Sequence, residues 1–434
     1  MTRPSTRLRQ QSLAVLAIAG IALAVTPVAA TAADDVSTGS WYIDAFNLRD
    51  AWNAGITGEG VVIAVIDSPI NTEVPTLANA NIEVREPSFC RDPDGGFYPA
   101  TSTALDGPTE ASHATGVASM IAGTGAGYPE QQGVLGVAPG AKVIHYTASV
   151  FYDETGEYDC FPELPISKDN NVTGDDAVVM AMNEAMDDGA DIISVSLGVN
   201  GSLAGDEAIV RAAREGVIIV AATPNELLAA NWPSSANGAV AVNAIDSSGQ
   251  LMQNELGSNF QFATVLGPGV GLLFQGVEDT GSWTEQRLAQ GTSFATPAVA
   301  GFLALVAQKY PDATANQLIQ SLIRNTGAED HELTYDEGEL GYGIASATHM
   351  LRVDPTTYPD ENPLITEDGF PTAEEIRQGL ASTPSPVPEA PNVGDGSIPG
   401  WIIAAGVIVL IIVVLTIVLA IVFASRRARS TGPR

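Results

Sequence analysis

The chain has 434 residues, enough for one large domain with appendages. It carries 51 acidic against 19 basic side chains, a formal net charge of −32. That balance argues against a nucleic-acid partner, which wants a basic face, and is read as a solubility feature rather than as a sign of basic substrates.

In chain order, Arg3, Arg7 and Arg9 precede an apolar stretch from Leu13 to Val25, and Ala30-Thr31-Ala32 follows as a small-residue cleavage site. Residues 1–32 therefore read as an export signal. The alternative, an uncleaved anchor, is disfavoured by a short apolar stretch that stops at Pro27. The core domain is expected over residues 33–351. Gly60-Val-Val-Ile-Ala-Val-Ile-Asp67 is a continuous apolar run ending in an acid, the pattern of a central strand buried on both faces. Catalytic groups of open α/β sheets gather at the carboxyl ends of such strands. Ser112-His113-Ala-Thr-Gly-Val-Ala-Ser-Met-Ile-Ala-Gly123 has small residues at helical spacing and predicts a helix over 113–123. Further strands are predicted at 142–147, 191–196, 217–222 and 239–244, and helices at 174–188, 204–215, 293–309 and 314–325. Strands alternating with helices imply an α/β domain with a mainly parallel sheet covered on both faces.

Cys90 and Cys160 lie in stretches rich in Asp, Gly and Pro, about 86–109 and 151–173, which read as surface insertions. In an exported protein an even pair most simply forms one disulfide, two free thiols being the other state, and no histidine cluster beside them suggests zinc.

Beyond the domain, residues 352–400 are rich in Pro, Asp, Glu, Ser and Thr and include Pro384-Ser-Pro-Val-Pro388, a composition expected to form a linker without a packed core. Residues 401–424, Trp401 to Ala424, form an uncharged apolar run that as a helix spans about 36 Å, enough for a hydrocarbon core of about 30 Å. Arg426, Arg427 and Arg429 follow in a basic tail, 425–434. Positive charge marks the cytoplasmic side, so the expected topology is single-pass, with the bulk of the chain outside and the C-terminus in the cytoplasm.

The most telling stretch is Gln290-Gly-Thr-Ser-Phe-Ala-Thr-Pro-Ala-Val-Ala-Gly301. It sets Ser293 where an apolar helix begins, near unpaired backbone N–H groups and the positive end of the helix dipole. That environment suits a nucleophile whose reaction builds an oxyanion. Pro297 is read here as a first-turn proline, tolerable where N–H groups lack intrahelical partners. Such a serine needs a general base and a carboxylate to orient it. Asp67 and His113 precede it in the order Asp, His, Ser. Alone, a strand-end Asp is more often a cap or turn former, a His among small residues is more often packing, and a Ser at a helix start is as often an N-cap. The three together point to one site. His145, His331 and His349 have no such context and read as structural or surface residues.

These three segments closely resemble the motifs of the subtilisin-like serine proteases. The resemblance implies a three-layer subtilisin-like fold, protein or peptide substrates and no cofactor. Catalysis would rest on Asp67, His113 and Ser293. Asn225, after the strand Gly216-Val-Ile-Ile-Val-Ala-Ala222, stands where the family keeps its oxyanion-hole amide, with the Ser293 backbone N–H as second donor; in isolation Pro224-Asn225 is ordinary turn chemistry. Ser196, Leu197 and Gly198 fall where the family pairs with extended substrate and lines the pocket for the residue before the cut. Gly341-Tyr-Gly-Ile-Ala-Ser-Ala347 resembles the segment that closes such domains. Three departures bear on turnover. After Asp67 the family's Ser or Thr and then Gly become Ser68-Pro69, Ala114 replaces the Gly after His113 with a methyl that can crowd substrate backbone, and Thr223-Pro224 replace the small residue and Gly before Asn225.

No metal site is expected, and no calcium-ligand spacing stands out. The short stretch between Ala32 and Trp41, the insertions, the cysteine pair, the Pro-rich segment and the C-terminal apolar run resemble the mycosins, membrane-anchored proteases associated with type VII secretion. The resemblance implies a cell-membrane location, an extracytoplasmic catalytic domain and a secretion-system membrane complex as partner. Two alternatives stand beside it. One is a weak or inactive member of the fold acting as a structural partner of such a complex. The other is an esterase, disfavoured because no Gly-x-Ser-x-Gly elbow is present.

Overall fold

The computed structural model describes residues 36–381 apart from 91, 93, 95, 151–159, 161–175, 226–230, 253–261, 278–279 and 337–339. The export signal, the apolar run 401–424, the basic tail and residues 382–400 of the Pro-rich stretch lie outside the described residues. Among the described residues, no helix is long and apolar enough to cross a membrane.

Nine strands are described: β1 (Val62–Asp67), β2 (Ile82–Val84), β3 (Lys142–Thr147), β4 (Ile192–Val195), β5 (Ile218–Ala222), β6 (Val240–Ile245), β7 (Val265–Pro268), β8 (Val270–Val277) and β9 (Ser282–Gln290). The helices are α1 (Trp41–Ala45), α2 (Leu48–Asn53), α3 (Ser112–Ala122), α4 (Asp176–Asp187), α5 (Leu203–Glu215), α6 (Thr292–Lys309), α7 (Ala315–Arg324), α8 (Ala347–Met350) and α9 (Ala373–Ala381). Seven strands form one sheet in the order β2-β3-β1-β4-β5-β6-β7, every pair parallel. The long apolar runs become its centre because a sheet covered on both faces asks for apolar side chains on both. Ile63 and Val65 of β1 face a core shared with α3 and α6, whereas Ala64 and Ile66 face one shared with α4 and α5. Nearly all of α6, from Thr292 to Val306, is buried, so its sequence is apolar all round rather than striped. The helix ends carry their own signals. Ser202 caps α5 by accepting from the Gly205 N–H, and α5 stops at Gly216 with φ 73°. Thr314 and Gln317 form a capping box on α7.

The expected strands and helices are present within a few residues of their expected bounds. The additions are β2, β7, the short helices at either end and an antiparallel hairpin of β8 and β9. Strand β9 reads Ser-Trp-Thr-Glu-Gln-Arg-Leu-Ala-Gln, without an apolar run to announce it.

The boundary drawn at residue 351 needs correction, because the compact unit continues to Ile376. Asn237 Nδ2 donates to the carbonyls of Thr366 and Pro371, both at 2.9 Å, and its Oδ1 accepts from the Thr366 N–H at 2.8 Å. Asn362 Nδ2 donates to the Gly238 carbonyl at 2.9 Å, and Tyr358, Ala373 and Ile376 are buried. A few apolar residues and two asparagines suffice to anchor a stretch whose average composition is polar.

Cys90 and Cys160 form a disulfide with their Cα atoms 4.2 Å apart. Both are buried against Ile66, Tyr146 and Val150, so the bridge is part of the core on the α4–α5 side. Apart from Cys160, the stretch 151–173 lies outside the described residues; a disulfide is itself apolar and packs accordingly.

Candidate active site

Strands β2 and β3 lie on one side of β1 and β4 on the other. The carboxyl ends of β1 and β4 therefore flank a point where strand order reverses, the place where open α/β sheets form a crevice. Asp67 ends β1 there, and Ser196 follows the last residue of β4.

Asp67 is fully buried, and its Oδ1 accepts two donors: the N–H of Ser68 at 2.7 Å and His113 Nδ1 at 2.8 Å. A carboxylate only accepts, so Nδ1 carries the proton, and in the neutral ring the other nitrogen keeps its lone pair. His113 is the second residue of α3 and keeps a quarter of its side chain exposed, so the ring faces both the carboxylate and the crevice. Phe294, the neighbour of Ser293, lies against this ring with centroids 5.8 Å apart. Phe274 of β8 meets Phe294 edge-on at 5.4 Å. Only glycine fits at position 116 on the histidine helix, since a Cβ there would sit 2.2 Å from the Phe274 ring. The β8–β9 hairpin thus packs directly behind the histidine and the serine.

Ser293 is the second residue of α6 and is buried. Its hydroxyl donates to the Ser196 carbonyl at 3.3 Å, and the Ser196 hydroxyl donates to the Ser293 carbonyl at 2.8 Å. The reading of Pro297 as a first-turn residue is corrected here, because it is the sixth residue of α6. An N–H at 297 would have served the Ser293 carbonyl four residues back. The Ser196 hydroxyl takes that place.

Asn225 follows β5 and is exposed. Its Oδ1 accepts from the Thr292 N–H at 3.1 Å and lies 3.0 Å from the Thr292 hydroxyl, which donates to the Thr223 carbonyl at 2.6 Å. With the amide oxygen held by the residue before the serine, Nδ2 is the donor end of the side chain. Leu197 is half-buried and Gly198 exposed beside Ser196.

Two of the departures find room. Pro69 costs no hydrogen bond, since its neighbours are served elsewhere: Ile70 N–H by the Ala100 carbonyl at 3.0 Å and Asn71 N–H by the Thr115 hydroxyl at 2.9 Å. Ala114 is fully buried against Ile70, Val74 and Leu77, so its methyl points into the core and not at the crevice, contrary to the crowding expected from the sequence.

The sequence reading missed the hydroxyl work of Ser196, the clamp by Thr292, the aromatic packing on His113 and the burial of His145 beside this site. Thr292 directly before the serine was the one local signal for any of these. Among the described residues, no group of three or more His, Cys, Asp or Glu is placed to hold a metal ion.

An imidazole held by a buried carboxylate, a hydroxyl at a helix start and a side-chain amide bonded to the residue before that hydroxyl are the parts that acyl transfer needs. Fold and site together define the class, a serine peptidase built on a parallel sheet. The model of the subtilase family of S8 peptidases matches residues 58–343, and the chain belongs to that family. A thermostable alkaline protease of Halalkalibacterium halodurans is 32% identical over 313 residues, spanning 70% of this chain and 73% of that protein. Subtilisin Savinase of Lederbergia lenta is 30% identical over 292 residues, 66% of this chain and 90% of that protein. Fervidolysin of Fervidobacterium pennivorans is 26% identical over 354 residues, but the chain spans only 46% of its length. The crystal structure of fervidolysin, a keratinolytic enzyme related to subtilisin, superposes with a TM-score of 0.55 at 25% identity, covering 74% of this chain and 46% of that one.

Proposed function

We propose that the protein is a membrane-anchored, extracytoplasmic serine endopeptidase in which Asp67, His113 and Ser293 act as a triad. Ser293 Oγ attacks a peptide carbonyl while His113 takes its proton. Asp67 keeps the imidazole in the right tautomer and stabilises it once charged. Asn225 Nδ2 and the Ser293 backbone N–H hold the oxyanion, and His113 then returns its proton to the leaving amine. Ser196, Leu197 and Gly198 form one wall for extended substrate. The observation that carries this reading is the 2.8 Å contact between His113 Nδ1 and the buried Asp67 at the strand-order reversal.

The membrane anchor and a role beside a type VII secretion complex, as in the mycosins, rest on the sequence: the export signal, the run 401–424 and the arginines after it. The test is labelling of the full-length protein with a fluorophosphonate, together with cleavage of a mixed peptide library. Labelling and cleavage that vanish in Ser293→Ala support the peptidase. A folded, disulfide-bonded protein that neither labels nor cleaves returns the reading to a structural partner of a secretion complex.

A further inference from the structure

Close to Asp67 lies a second imidazole that the triad chemistry does not use. His145 sits within β3, opposite Val65 of β1, and is fully buried. Its Nε2 lies 2.9 Å from the Ser68 carbonyl oxygen. A carbonyl only accepts, so Nε2 carries the proton and donates. Ser68 in turn gives its own N–H to Asp67 Oδ1 at 2.7 Å. One residue therefore connects the two: its carbonyl is held by His145, and its amide holds the carboxylate. Thr147 adds a weaker hold, with its hydroxyl 3.4 Å from the same carbonyl and 3.2 Å from Nε2.

We infer that His145 is a positioning residue for Asp67, fixing the Asp67-Ser68-Pro69 turn so that the Ser68 N–H and His113 Nδ1 converge on one carboxylate oxygen. A histidine inside an apolar strand carries a desolvation cost that Val143 or Ile144 beside it does not. The bond to Ser68 recovers part of that cost and holds the carbonyl of the same residue whose N–H holds Asp67. Burial also keeps the ring uncharged, its pKa pushed down to about 4 against the opposing pull of Asp67 and Glu86, the charged groups that act on it. An uncharged ring at 145 leaves the negative charge of Asp67 to His113 alone.

This inference rests on the triad reading above, and the experiment separates the two. Full-length wild type is compared with His145→Gln, whose amide reaches as far as Nε2, with His145→Asn, whose amide stops short, and with His145→Phe, a ring without a donor. An unlabelled, inactive wild type overturns the triad reading and this inference with it. With an active wild type, His145→Phe and His145→Asn are expected to lower kcat by about tenfold to a hundredfold, since small misplacements of a catalytic group act on that scale, with KM held within about twofold. The acid limb of kcat/KM should also move to lower pH, because a loosely held carboxylate stabilises the His113 imidazolium less. His145→Gln should keep both near the wild-type values. Where His145→Phe does not fold, His145→Gln and His145→Asn make the same comparison. Unchanged kcat in the folded variants, or equal losses in all three with an unmoved acid limb, overturns the inference.

Discussion

Ser196 and Ser293 are hydrogen-bonded to each other in both directions, hydroxyl to carbonyl at 2.8 Å one way and 3.3 Å the other. The shorter bond exists because Pro297 cannot donate to the Ser293 carbonyl, and it ties the start of α6 to the end of β4. Removing the hydroxyl in Ser196→Ala leaves a buried carbonyl unpaired, which should destabilise the fold by about 1–3 kcal/mol. Urea denaturation reads this directly. Pro297→Ala restores a donor four residues along, so it should recover part of the loss only in the Ser196→Ala background. Equal effects of Pro297→Ala in both backgrounds would refute the relationship.

Asn225 is oriented by Thr292, and the two should separate kinetically. Asn225→Ala removes the side-chain donor and should cost about a hundredfold to a thousandfold in kcat with little change in KM. Thr292→Val keeps the backbone N–H that holds the amide oxygen and loses only the hydroxyl, so about tenfold is expected. Steady-state kinetics on one peptide substrate decides it. A larger loss in Thr292→Val than in Asn225→Ala would mean that the hydroxyl serves Thr223 and the fold, not the amide.

His145 makes stability depend on pH. Its pKa is pushed down from 6.5 to about 4 in the folded protein, chiefly by burial. The unfolded chain therefore binds a proton below pH 6.5 that the folded chain refuses. Stability from this group is complete above that pH and falls as pH drops towards 4, by at most on the order of 3 kcal/mol. Denaturation midpoints between pH 7 and 4 should fall less steeply in His145→Gln than in wild type. Parallel curves would rule out His145 as the source.

The disulfide closes a loop across a sequence separation of 70, which on chain-entropy grounds stabilises by about 4 kcal/mol. Paired Cys90→Ala and Cys160→Ala substitutions should lower the thermal midpoint well beyond a typical surface change. Because both sulfurs are buried, reductant should act slowly on the native protein and readily in moderate denaturant. Rapid reduction of the native form would contradict that burial.

Much of the sheet was legible because buried parallel strands read as unbroken apolar runs: β1 from Val62 to Ile66 and β5 from Ile218 to Ala222 need no neighbour to declare them. The β8–β9 hairpin was not legible, because its polar residues are satisfied by each other. Gln275 Nε2, for example, donates to the carbonyls of Trp283 and Glu285. Residues 352–376 were mistaken for linker for a similar reason, since Asn237, far away in sequence, anchors them.

The sequence by itself determined which residues are the candidates for the chemistry. Asp67 at a strand end, His113 and Ser293 at helix starts, and Asn225 after a strand are each written in local pattern, because strand and helix periods are local properties. The tertiary structure alone decided what each of them is bonded to. That the Pro297 gap is filled by Ser196, that Thr292 turns the Asn225 amide and that His145 steadies Ser68 all depend on contacts between distant segments. Those contacts are set by the packing of α6 and β3 around β1, and no periodicity within a single segment encodes them.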